Sequence, residues 1–121
     1  LATAVEFDVV LPHIPSPTNS QMVMDAVTHE HDLRHAVGRA GAQDSAAVDV
    51  ALGYLLNMVD TIAPGRAQEL SDSGVSRYEL MRSLSGRRSI EQMNQLELDG
   101  SQIAALLKGT PMVAPHTAVE I

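Results

Sequence analysis

The densest cluster of chemically capable side chains in this 121-residue sequence is His29-Glu30-His31-Asp32-Leu33-Arg34-His35. His31 and His35 stand four apart and share one face of a helix, which is the spacing of two metal ligands. A zinc hydrolase of the His-Glu-x-x-His type needs its second histidine four residues after the first, and from His29 that position is Leu33. A catalytic zinc takes three protein ligands and a structural one four. His13, His116 or Asp25 would have to be folded in to complete a site, and nothing in the spacing requires it. The expectation is that His29, His31 and His35 titrate near their ordinary value on a solvated helix face, with no metal and no cofactor bound. A histidine-centred metal-dependent enzyme is the third of three readings of function.

The second cluster is basic. Arg77, Arg82, Arg87 and Arg88 fall within residues 73–90 against a single acid, Glu79, whereas residues 1–70 hold nine acids and three bases. Guanidinium groups fork onto phosphates as well as carboxylates, and two short helices broken at Gly86 have the outline of a helix-turn-helix, though without a recognition helix. Four arginines neutralise few phosphates, and the net charge of −7 opposes the approach of a polyanion. The four arginines are therefore read as a partner-binding or nucleic-acid-binding cluster, with pairing to the acidic part of the chain or to an acidic protein preferred. Asp49, Asn57 and Asp60, polar positions on an otherwise apolar helix, need partners if buried, and an arginine from residues 77–88 is the obvious one.

Other chemistry is excluded more simply. With no cysteine there is no thiol nucleophile, no thiolate-held zinc and no iron–sulfur cluster. One Phe, two Tyr and no Trp leave little surface on which bases can stack. Neither a Gly-x-Ser-x-Gly elbow, nor a phosphate loop ending in Gly-Lys-Ser/Thr, nor a dinucleotide fingerprint occurs, and Gly38 and Gly41 lack a lysine to reach a phosphate. Six methionines sit mostly in apolar helical patterns and read as core filler.

These side chains need elements to hold them. Val5, Phe7, Val9 and Leu11 alternate with Ala4, Glu6, Asp8 and Val10, which predicts a half-buried strand ended by Pro12, Pro15 and Pro17. A helix starts at Thr18 to Ser20 and runs to Gly38, with Arg34, His35 and Arg39 at its cation-favouring end. Asp44 or Ser45 caps a second helix, so apolar that it is expected to be the most buried element; its stretch Ala46 to Ala63 is interrupted by Asp49, Asn57 and Asp60 and is not a membrane span. Pro64 and Gly65 end or kink it. Ser76 and Glu79, flanked by Val75 and Leu80, predict a capping box with a hydrophobic staple for a helix stopping at Gly86. Ser89 and Gln92 repeat the box, and Asp99-Gly100-Ser101 opens a last helix carrying Ile103, Leu106 and Leu107 to Gly109 and Pro111. Thr117 to Ile121 alternate again and predict a terminal strand.

The expected fold is α+β, with four to five helices and a small sheet formed by the N- and C-terminal strands, in a single compact domain over residues 1–121. Beginning at Leu1 with no charged segment before an apolar run, the chain reads as a processed product or a fragment of something longer. The leading function is a non-enzymatic interaction or assembly module. It would be an accessory or structural subunit of a larger viral or bacterial complex, homo-oligomeric, partnered by other protein subunits and not by a membrane. Cytoplasm or an assembled particle suits such a soluble chain. A nucleic-acid-contacting accessory factor using Arg77 to Arg88 is the alternative.

Overall fold

A computed structural model describes residues 18–39 and 41–115. Among these residues there are six helices, in the order α1 (Thr18–Ala36), α2 (Ala46–Ile62), α3 (Arg66–Ser71), α4 (Arg77–Leu84), α5 (Ile90–Gln95) and α6 (Gly100–Leu107). The α+β expectation is corrected: among the described residues there is no strand and the fold is helical. The segments predicted as strands, Ala4 to Leu11 and Thr117 to Ile121, lie outside the described residues.

Local signals account for most helix boundaries. Ser45 caps α2 by accepting the N–H of Val48, and Asp99 caps α6 by accepting that of Gln102. Ser89 and Gln92 form the full reciprocal box: Gln92 N–H donates to Ser89 Oγ at 3.2 Å, and Ser89 N–H donates to Gln92 Oε1 at 2.9 Å. At α4 only half the predicted box exists, since Ser76 Oγ accepts the Glu79 N–H at 3.1 Å while the Glu79 carboxylate bonds to Arg88. Gly86, at φ +81°, ends α4 with paired bonds from Arg87 N–H to the Arg82 carbonyl and from Gly86 N–H to the Ser83 carbonyl. That double bond is the Schellman stop, and it needs the left-handed residue that glycine supplies without strain. The helix α3 is additional to the expected elements, because six residues are too few to show a helical period.

The centre of the molecule is α2, which packs on α1, α3 and α4, while α5 packs on α6. Val48, Ala51, Leu52, Leu55 and Val59 form its buried stripe and meet Val23, Met24 and Val27 of α1 and Leu80, Met81 and Leu84 of α4 in one apolar cluster. Contrary to expectation, α2 is not the most buried element. Its Val50 and Ile62 are exposed, whereas five of the eight residues of α4 are buried, Arg82 among them. No helix of the described residues is long and apolar enough to cross a membrane.

Candidate functional site

Because α4 is enclosed over most of its surface, Arg82 has no route to solvent and lies wholly buried. A buried guanidinium survives only if paired and hydrogen-bonded. Its Nη2 donates to Asp32 Oδ1 of α1 at 2.7 Å and its Nη1 to the Thr28 carbonyl at 3.2 Å. Arg87, in the turn after Gly86, clamps the same carboxylate, with Nε 3.3 Å from Oδ1 and Nη2 2.9 Å from Oδ2, and its Nη1 donates to the Ser85 carbonyl at 2.8 Å. Burial acts to raise the proton affinity of Asp32, but the hydrogen bonds and charges of Arg87 and Arg82 outweigh it and hold the carboxyl below its usual range.

The other two arginines are also paired. Arg88, nearly buried, forks onto Glu79 with Nε and Nη2 at 2.9 and 3.0 Å and donates from Nη1 to the Arg87 carbonyl. Arg77 meets Asp49 of α2 at 2.7 Å, both side chains being solvent-exposed. The expected pairing between the arginine segment and the acidic part of the chain is thus made within the chain at Asp32 and Asp49. The partner of the buried arginine is Asp32, however, and not one of the α2 positions. Asp60 instead accepts the N–H of Gly65, and Asn57 is exposed.

The histidine cluster is divided by its helix. His31 is buried, with its ring edge-on to Tyr78 of α4 (centroids 5.0 Å apart, planes at 67°), while His29 and His35 are exposed. No group of three potential metal ligands occurs among the described residues. His13 and His116, weighed as further ligands, lie outside them. The expectation of an ordinary titration fails for His31: burial, assisted by Arg82 and Arg34, lowers its proton affinity against the opposing pull of Glu30 and Asp32. Its buried Nε2 has no hydrogen-bond partner among the described residues.

His31 lines a cleft of about 390 Å³ formed where α1 and the loop after it face α4 and α5. Arg34, His35 and Gln43 contribute from the first side, and Tyr78, Glu79 and Arg88 from the α4 side. Gln92, Gln95 and Leu96 close it from α5 and its C-terminus. The cleft escaped sequence reasoning because Tyr78 and Gln95 are far along the chain from His31 and carry no motif. Of its lining, the sequence marks His31 and His35 as a pair at metal-ligand spacing, Arg88 as part of the basic cluster, and Glu79 and Gln92 only as capping residues.

A pH dependence follows from His31. A folded-state proton affinity below the unfolded one means that the unfolded chain takes up the proton first. The His31 contribution to stability is therefore complete above about pH 6.5 and declines below it until the lowered folded-state value is reached. Urea unfolding at pH 7.5 and 5.5 (about one unit either side of that value) is expected to show a smaller loss of stability on acidification in a His31→Phe variant than in the parent. Equal losses would show that His31 is not the group responsible.

Compared with known protein families, characterised proteins and solved structures, the chain matches none.

Proposed function

We propose that this chain is a non-enzymatic interaction module that assembles with copies of itself and with other protein subunits. The observation that carries the reading is an outward row along α1 and the turn after it: Ala26, His29, Leu33 and Val37 recur at i, i+3, i+7 and i+11, away from the buried face of Val23, Met24, Val27, Thr28 and His31. Leu33 and Val37 are 53% and 57% exposed, among the most exposed large apolar side chains of the described residues, and contiguous apolar surface of this kind marks interaction sites. The row carries no fixed charge. On a chain of net charge −7, it is a face that two copies can bring together without like-charge repulsion, in a two-fold contact of α1 on α1.

The arginine geometry supports a protein partner over a nucleic acid. Arg82 is buried, Arg87 and Arg88 are engaged with Asp32 and Glu79, and Arg77 shares its charge with Asp49. A phosphate backbone would have to compete with each of these pairs. Sedimentation velocity over the micromolar range is expected to show a dimer or larger species, weakened at least about tenfold by Leu33→Asp with Val37→Asp. A monomer at every concentration, or association indifferent to the double substitution, refutes the reading.

A further inference from the structure

A cleft of about 390 Å³ is within the size range of sites for small molecules, about 300–1,000 Å³. Its wall is unevenly charged. The one acid, Glu79, is taken up in a two-point bond by Arg88. Arg34 is bonded through Nε to Glu30 at 2.9 Å, and its guanidinium has no other hydrogen-bond partner among the described residues. The His31 ring lines the cleft, while its Nε2 is buried and has no hydrogen-bond partner among the described residues. The ring of Tyr78 and the side chain of Leu96 form the apolar part of the lining, and Gln43 and Gln95 are neutral amides. Cationic and neutral donors beside an apolar wall select an anion with an apolar body.

We propose that this cleft binds a small organic carboxylate, with the acid group held by Arg34 beside the His31 ring and the apolar body against Tyr78 and Leu96. The site is independent of the α1 row assigned to assembly, since neither Leu33 nor Val37 lines the cleft. A bound acid would sit beside the His31 ring, and its negative charge makes the ring more basic. Binding therefore leaves a signature on a named side chain, whatever the natural ligand is.

The test uses benzoate as the probe, with benzyl alcohol and inorganic phosphate as controls, on the whole chain with the His31 ring followed by NMR. Benzoate is expected to give saturable shifts of the His31 ring signals and to raise its titration midpoint. Benzyl alcohol and phosphate should each bind at least about tenfold more weakly, the first lacking the charge and the second the apolar body. Arg34→Met should weaken benzoate binding at least about tenfold, while Glu30→Gln, which removes the negative charge beside Arg34 but keeps the cation, should leave it within about threefold. Arg34 and Glu30 are partly exposed, so both variants keep the core intact. Absence of saturable binding, equal binding of benzyl alcohol or phosphate, or binding indifferent to Arg34→Met overturns the proposal. Because none of these readouts depends on association state, they are separate from the test of assembly.

Discussion

Arg82→Ala is expected to cost about 3 kcal/mol of folding stability, near the lower bound for removing one member of a buried ion pair. The side chain is 0% exposed, so its loss removes the hydrogen bonds to Asp32 and to the Thr28 carbonyl and leaves a void inside the molecule. The lower bound applies because Asp32 is a third exposed and keeps Arg87. Asp32→Asn should be at least as harmful: it leaves the shape almost unchanged but removes the negative charge that Arg82 and Arg87 share. The two substitutions share an interaction, so in combination they should fall short of additivity by more than about 1 kcal/mol. Urea unfolding of the four proteins checks this. Losses below about 0.5 kcal/mol, typical of surface positions, would show that the pair contributes nothing to the fold.

Gly86→Ala is expected to be the most damaging of the glycine-to-alanine substitutions in the turns. Gly86 and Gly74 have nearly the same backbone twist, φ +81° and +82°, so each should lose about 1–2 kcal/mol to left-handed strain. They differ in surroundings. A Cβ on Gly74 meets nothing within 4 Å, whereas one on Gly86 would stand 2.7 Å from the Met112 carbonyl oxygen and 2.9 Å from that of Val113. Those atoms are backbone and cannot rotate aside. Residues 112–113 must move, and Met112, packed against the core, must move with them. Overpacking of this kind adds about 1–3 kcal/mol. At about 4–8 °C per kcal/mol for a domain of this size, Gly86→Ala should melt clearly below Gly74→Ala and become sensitive to proteases near Met112. Equal melting temperatures would mean that the tail gives way freely.

Helix starts were legible where the signal is a side chain reaching a backbone N–H three residues on. Ser45, Ser76, Ser89 and Asp99 all cap, because such a bond is decided within one turn. What depends on distant packing was not legible. Seven apolar positions made α2 look enclosed, yet Val50 and Ile62 face water, since a helix can cover only as much surface as its neighbours supply. Arg82 looked like one of four equivalent surface arginines, although Leu80, Met81 and Leu84 beside it show that α4 lies against the core. The capping box at Ser76 was half right because Arg88 competes for Glu79 and offers a fork that a backbone N–H cannot match. For the cleft, the sequence marks His31 and Arg88 but holds no sign that Tyr78 and Gln95 stand beside them.

The carboxylate of Asp32 finds its counter-charges 50 and 55 residues further along the chain. Between them lie the whole of α2 and α3. A chain severed in the loop before α4 would therefore yield two pieces, each left with ions that the other was to neutralise. The first piece would keep Asp32 without either arginine, and the second would expose Arg82 on a helix too short to persist alone. Such fragments should complement each other when mixed and remain largely unstructured when apart. Cooperativity should therefore join α1 to α4 and the turn beyond it, and during synthesis Asp32 waits for 50 to 55 further residues before its pairs can close.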